Sequence, residues 1–147
     1  MKITTPSRSR LEKFTGSDCF TLFQFGQEAV VAHAEAVDRL AITIVTVDES
    51  LTGWYSRVRQ SKTSEQLAMA YRGLHRTVDA LRHMEVLPYS QLAIEAQMRL
   101  RRQFRQLGKL DLAIAAIALE FNATLVTRNR IDFEQIPGLK IEDWSQT

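Results

Sequence analysis

The spacing of hydrophobic positions predicts strand and helix segments in alternation through the first half of the chain. Residues 41–45 are apolar or β-branched and lie between polar neighbours, which is typical of a buried strand, and residues 11–15 suggest a weaker one. Residues 19–37 have helical spacing with a break near Gly26, and helix resumes from Thr46 towards Arg59. Between Thr63 and Met84 one helix face is apolar, and we expect the members of this stripe to face the core: Leu67, Ala70, Tyr71, Leu74, Val78 and Leu81.

The second half continues the same alternation. Residues 86–89 suggest a short edge strand because Pro88 cannot donate to a neighbouring strand. A helix over 90–106 ends before Gly108, and the helix at 110–121 is apolar almost all round, which indicates burial on most sides. Strands are expected at 123–127 and 139–141. This order predicts an α/β fold with a central, mostly parallel sheet covered by helices on both faces.

Length and composition limit the possible protein classes. With 147 residues, 45% of them hydrophobic, the chain can bury a core as one domain, which we place at 11–147 after a polar, frayed tail at 1–10. The lone Cys19 allows no intramolecular disulfide and favours a reducing, cytoplasmic setting. The longest apolar run, 112–119, is far shorter than the roughly 20 residues that cross a bilayer, so we expect no membrane association. The net charge of +2 neither requires nor excludes a nucleic-acid partner.

Several acidic residues follow predicted strands, where parallel sheets bind their ligands. Glu49 follows the strand at 41–45, Asp132 follows the strand at 123–127, Asp18 follows the weak first strand, and Asp111 opens the buried helix. Converging carboxylates repel one another unless a cation lies among them, and Mg²⁺ prefers carboxylate oxygens and water. A metal held in this way can activate water against a phosphodiester.

Each acid also has a purely structural explanation. Thr46-x-x-Glu49 matches a capping box, and Asn129-x-x-Asp132 could be a capped turn. Asp18 and Asp111 could be first-turn acids that favour the positive end of a helix dipole. Spacing alone does not choose between these explanations and a shared metal site.

Three stretches resemble the acidic motifs of PIN domains, specifically those of VapC-type toxins. Residues 42–49, followed by Leu51 and Gly53-Trp54, are similar to the second motif. The third and fourth motifs have similar counterparts, in unbroken order, at residues 110–119, 123–129, Asp132-Phe133 and 136–139. The resemblance implies a PIN-like three-layer α/β/α fold and a Mg²⁺- or Mn²⁺-dependent endoribonuclease of a type II toxin–antitoxin system.

Carried over by position, the resemblance implies catalytic, metal-binding acids at Glu49, Asp111 and Asp132, with Thr127 and Asn129 supporting the same pocket. It also implies an RNA substrate, a cognate antitoxin that inserts beside the site, and a homodimer.

The first motif departs from the family pattern. VapC-like chains end their first strand in a catalytic aspartate, whereas Gly16 stands at that place here. Asp18 aligns with the second acidic or amide position and could act as a substitute metal ligand. The alternative is a catalytically impaired PIN domain that retains antitoxin, RNA or other protein binding.

Two cationic stretches are candidates for contact with RNA phosphates, although both also suit solvated helix faces. Arg102 and Arg105 belong to the first, with Arg99, Arg101 and Lys109, and the second comprises Arg57, Arg59 and Lys62. Arg128 and Arg130 flank Asn129 and are better placed at the mouth of the site. The three histidines are too scattered for a zinc site, and Trp54 and Trp144 are interpreted as packing residues.

Overall fold

The computed structural model describes residues 13–15, for which only the backbone is considered, together with 26–37 and 39–145. Its strands are β1 (Lys13–Thr15), β2 (Leu40–Thr43), β3 (Glu85–Leu87), β4 (Thr124–Val126) and β5 (Lys140–Glu142). Its helices are α1 (Glu28–Glu35), α2 (Ile44–Gln60), α3 (Ser64–Leu81), α4 (Gln91–Gln103), α5 (Lys109–Phe121) and the short α6 (Arg130–Phe133). None of the helices in the described ranges is long and apolar enough to cross a membrane.

The strands form one sheet in the order β3-β2-β1-β4-β5, and all four pairings are parallel. This confirms the predicted parallel sheet, with β3 on its edge. The weak first strand lies at the centre, where Phe14 pairs with Ala41 on one side and with Leu125 on the other. Strands β2 and β4 therefore flank β1.

The predicted strand at 41–45 ends earlier, because Thr43 caps α2. The Thr43 hydroxyl accepts a 3.0 Å hydrogen bond from the Thr46 N–H and lies 3.0 Å from the Thr46 hydroxyl. The predicted capping box at Thr46-x-x-Glu49 is therefore wrong, and Glu49 lies in the second turn, too far along to cap the helix. A capping requirement does not explain Glu49.

Helix α5 is buried as its pattern predicts. All seven residues from Leu112 to Ala118 are at most 3% exposed, and they form the centre of the core against α4 and the sheet. The helix ends at Asn122, which adopts the left-handed conformation with φ of 48°. Asparagine tolerates this conformation better than most residues, so the chain turns there and enters β4.

The expected core face of α3 is correct at Ala70, which is buried, but wrong at Tyr71 and Val78, which are 54% and 44% exposed. The other buried positions are Gly73 and Thr77. The reason is that α3 packs closely against α2, and only small residues leave room for Trp54 of α2. The sequence pattern cannot show this, because it marks apolar residues and not the side that the neighbouring helix approaches.

The C-terminal segment packs beside α1. Trp144 is 2% exposed and clusters with Val30 and Val126. Its ring stacks on the His33 imidazole with centroids 5.5 Å apart, and its indole N–H donates to Glu142. The packing role predicted for Trp144 is confirmed.

Candidate active site

The carboxyl ends of β2, β1 and β4 lie side by side at one edge of the sheet. Thr15, the last residue of β1, pairs with Ile42 and Val126. Glu49 lies on the helix that leaves β2, and Asp132 lies on the helix that follows β4. Gly16 and Asp18 follow β1 in the chain but lie outside the described residues.

Asp111 lies in the first turn of α5, at the opposite end of the helix from its connection to β4. Gly108 is the N-cap and has no side chain to contribute, so the Asp111 carboxylate folds back over this helix end. A Cβ added at Gly108 would lie 3.3 Å from Asp111 Oδ2. The helix dipole stabilises an anion here, which agrees with the first-turn explanation of Asp111.

Asp132 is held by a chain of hydrogen bonds that begins in the sheet. The backbone N–H of the buried Thr127 donates to the Glu142 carbonyl oxygen at 2.9 Å, and the Thr127 hydroxyl accepts from the Asn129 N–H at 3.1 Å. The Asn129 side-chain amide then donates to Asp132 Oδ2 at 2.9 Å. The capped turn considered for Asn129-x-x-Asp132 has no side-chain cap hydrogen bond, and the Asn129 amide contacts the Asp132 carboxylate instead.

A further acid, Asp143, follows β5 and was not predicted. Its burial acts to raise the pKa of its carboxyl. The carboxylate accepts hydrogen bonds from the Ser145 hydroxyl at 2.7 Å and from the Ser145 N–H at 2.8 Å, and it is attracted by the positive charges of Arg128 and Arg130. Together these interactions outweigh burial and lower the pKa of Asp143 below its ordinary value. In the sequence, the pair Glu142-Asp143 directly after the predicted strand at 139–141 was the feature that could have pointed to this acid. Arg130 also forms a 2.7 Å ion pair with Glu134, so its positive charge is divided between Asp143 and Glu134.

Part of the first cationic stretch is brought together around a cavity of about 610 Å³, between the second half of α4 and the start of α5. We call it the basic cavity; its lining residues are Gln97, Met98, Arg101, Arg102, Arg105 and Lys109. The predicted candidates Arg102 and Arg105 are thus neighbours in space, while Gln97 and Met98 were not predicted.

A second cavity of about 510 Å³ lies between α2 and α3. Trp54, Arg57, Met69 and Arg76 are among its lining residues, and the Arg57 guanidinium lies over the Trp54 ring, 4.9 Å from its centroid. The packing role predicted for Trp54 is confirmed by its close approach to Gly73 and its hydrogen bond to Thr77, and its aromatic face engages the Arg57 side chain.

Carboxylate oxygens are suitable ligands for a hard divalent cation. Among residues 26–37 and 39–145, however, no three His, Cys, Asp or Glu side chains form a group that could hold a metal ion. The metal site implied by Glu49, Asp111 and Asp132 therefore stays a prediction. The fit of these residues to a divalent cation rests on their carboxylate oxygens and on the position of their helices at the carboxyl edge of the sheet.

Comparison with known proteins agrees with this architecture. The PIN domain family model matches residues 19–139. Ribonuclease VapC1 of Haemophilus influenzae strain R2866 is 33% identical over 111 residues, covering 74% of this chain and 77% of that protein. The tRNA(fMet)-specific endonuclease VapC of Shigella flexneri is 30% identical over 111 residues, covering 73% and 76%.

A solved structure of similar fold is DNA-bound VapBC from Salmonella typhimurium. It superposes with a TM-score of 0.74 at 25% identity and covers 91% of this chain and 98% of that chain. The family match spans most of the chain, and the parallel sheet with its helices has the architecture that the motifs implied. The chain belongs to the PIN domain family and, within it, to the VapC ribonucleases.

Proposed function

We propose that the protein is a divalent-metal-dependent endoribonuclease of a toxin–antitoxin pair. Its metal, Mg²⁺ or Mn²⁺, would be held by Glu49, Asp111 and Asp132, and Asp18 would complete the site in place of the aspartate that Gly16 replaces. The observation that carries this proposal is the strand order, since β2 and β4 flank β1 and their following helices carry two of the acids.

The described residues support distinct parts of the reaction. A bound divalent cation would supply Lewis acidity and lower the pKa of its water. Asn129 orients the Asp132 carboxylate through a 2.9 Å hydrogen bond and leaves its other oxygen for a ligand. Arg128 and Arg130 bring positive charge to the same edge, where the substrate phosphates would approach. Thr127 fixes this arrangement to the sheet.

The proposed partners follow from the relatives. A similar solved structure is a VapBC complex on DNA, which supports a cognate antitoxin for this chain, and the named ribonucleases support an RNA substrate. A homodimer is proposed on the family resemblance alone.

The metal assignment is tested with Asp111→Asn in the full chain. We expect it to abolish Mn²⁺ binding, measured by calorimetry, and metal-dependent cleavage of a labelled RNA, because it replaces a charged ligand by a neutral amide of the same shape. Asp79→Asn is the control, since Asp79 is an exposed acid on α3 outside the sheet edge. Unchanged Mn²⁺ affinity in Asp111→Asn would show that the site is elsewhere.

The second candidate is an impaired PIN domain that binds its partner without cleaving RNA. It is favoured by Gly16, which stands where the family pattern has its first catalytic aspartate. Comparing cleavage by the natural chain and by Gly16→Asp separates the two functions. Equal activity would support Asp18 or the remaining acids as sufficient, whereas activity only in Gly16→Asp would support impairment.

A further inference from the structure

The basic cavity has an excess of positive charge that internal ion pairs do not balance. Arg101, Arg102, Arg105 and Lys109 are exposed, and within the described part of the chain none of them pairs with an acidic side chain. Other surface arginines are paired, as in the Arg130–Glu134 contact. The cavity therefore presents four cations to solvent from one concave surface.

Helix stability explains only part of this charge. Arg101 and Arg102 lie in the last turn of α4, where cations complement the negative end of the helix dipole. Lys109 is the first residue of α5, where the dipole disfavours a cation, and Arg105 lies between the two helices. The charges of these two residues are not explained by helix stability, and an external anion would offset their repulsion.

The cavity is also fixed in shape by a buried polar side chain. Gln97 is 4% exposed, and its amide donates to the Lys109 carbonyl oxygen at 3.4 Å, which links α4 to the first turn of α5. Met98 is 58% exposed at the same surface and offers an adaptable apolar contact. The cations are thus held on α4, on α5 and on the segment between them, around a preformed concavity.

The cavity adjoins the proposed active site, because Lys109 and Asp111 share the first turn of α5. We propose that the basic cavity binds the phosphate backbone of single-stranded RNA beside the scissile phosphate. This inference rests on the proposed function and adds a binding surface separate from the metal-binding acids. Guanidinium groups suit this role because they bind phosphate oxygens through two parallel hydrogen bonds.

Continuity with the acidic edge favours RNA over an acidic polypeptide. Lys109 and Asp111 lie at the same end of α5, so an RNA strand bound at Asp111 would also pass the helix end that lines the cavity. These contacts would recognise the charge and spacing of the RNA phosphates and not the bases, so the cavity would contribute affinity and little base specificity.

The test is RNA binding by the full chain in EDTA, which separates binding from cleavage. The probe is a fluorescein-labelled oligouridine of about 12 nucleotides, followed by anisotropy at salt concentrations between about 50 and 200 mM. The variant is Arg101→Gln/Arg102→Gln/Arg105→Gln. The matched control is Arg72→Gln/Arg82→Gln/Lys140→Gln, which removes the same charge from exposed positions outside both cationic stretches.

We expect the cavity variant to bind RNA roughly 10- to 100-fold more weakly at low salt, and the slope of log affinity against log salt to become shallower by about 2. The control should change far less, and Arg101→Lys/Arg102→Lys/Arg105→Lys should retain most of the salt dependence because it keeps the charge. Retained RNA affinity in the cavity variant, or an equal loss in the control, would overturn the inference. Loss of binding to a glutamate-rich peptide with RNA affinity unchanged would likewise overturn it and indicate a protein partner.

Failure of this inference is distinct from failure of the proposed function. Metal-dependent cleavage that does not depend on the cavity arginines would leave the proposed function intact and reject the cavity. Arginine-dependent RNA binding in a natural chain that does not cleave with Mn²⁺ would support the cavity and reject the catalytic assignment.

Discussion

The indole N–H of Trp54 donates a 2.7 Å hydrogen bond to the Thr77 hydroxyl, which in turn donates to the Gly73 carbonyl oxygen at 3.0 Å. This contact joins α2 to α3 and holds the helix that carries Glu49. Trp54 lies so close to Gly73 that a Cβ added there would overlap the indole ring. The close packing of α2 against α3 therefore depends on the absence of a side chain at Gly73.

Gly73→Ala should lower the free energy of unfolding by about 1–3 kcal/mol, because the added methyl group displaces the Trp54 ring. Gly53→Ala is the matched control: its Cβ would meet nothing within 4 Å, and alanine is the better helix former, so we expect stabilisation by about 0.5–1 kcal/mol. Urea denaturation measures both. Destabilisation of equal size in the two variants would argue against the Trp54 contact as the cause.

Thr43→Ala should remove the cap of α2 and cost about 1 kcal/mol of stability. It should also reduce cleavage, because the displaced first turn leads to Glu49. Thr63→Ala removes the equivalent cap of α3, which carries none of the proposed ligands, so a comparable loss of stability should leave cleavage intact. Thermal denaturation and RNA cleavage, measured on both variants, distinguish these effects; equal loss of cleavage in both would contradict the special role of Thr43.

Asn129→Ala should weaken Mn²⁺ binding by roughly 10- to 100-fold, since the Asp132 carboxylate loses the amide that orients it. Isothermal calorimetry measures this change, and circular dichroism establishes that the fold is retained. Gln135→Ala, which removes an exposed amide from the same segment, should leave the affinity unchanged. Metal affinity that is the same in both variants and the natural chain would exclude Asn129 as a positioning residue.

The pKa of Asp143 lies below its ordinary value of 3.8, so its charged form favours the folded state. Its contribution to stability is present above that ordinary value and is lost as the pH falls through the lower pKa of the folded protein. Ser145→Ala removes the hydroxyl contact and should raise the pKa of Asp143, moving the loss to higher pH. An NMR titration of the Asp143 carboxyl measures this shift, and an unchanged titration would mean that the Ser145 hydroxyl does not stabilise the carboxylate.

The fold was largely predictable because burial leaves a clear pattern in this chain. The unbroken apolar run in α5 indicated a helix buried on most sides, and the β-branched segment at 41–45 indicated a buried strand. The helix ends were less predictable. Thr43 and Thr46 are both suitable cap residues, and only the backbone shows that the first of them caps α2.

The candidate site was predictable in its residue types and order but not in its geometry. The sequence predicted Asp132 and Asn129 as site residues, yet their mutual hydrogen bond depends on the path of the chain after β4. Asp143 was not predicted because its neighbours, Arg128 and Arg130, are distant in the chain and approach it only across the β4–β5 pair.

The sequence by itself determined the class of fold, the family motifs and the acids that follow β2 and β4, because local periodicity and residue type are properties of the chain. Only the tertiary structure decided that Tyr71 faces solvent while Gly73 is buried, and that Arg102 and Arg105 share a cavity with Lys109. Glu49 and Asp132 lie on the helices that follow β2 and β4, and the structure adds a cationic surface that includes Lys109, in the same turn as Asp111. The physical reason is that exposure and charge clustering depend on which helices approach one another, and these contacts join residues far apart in sequence.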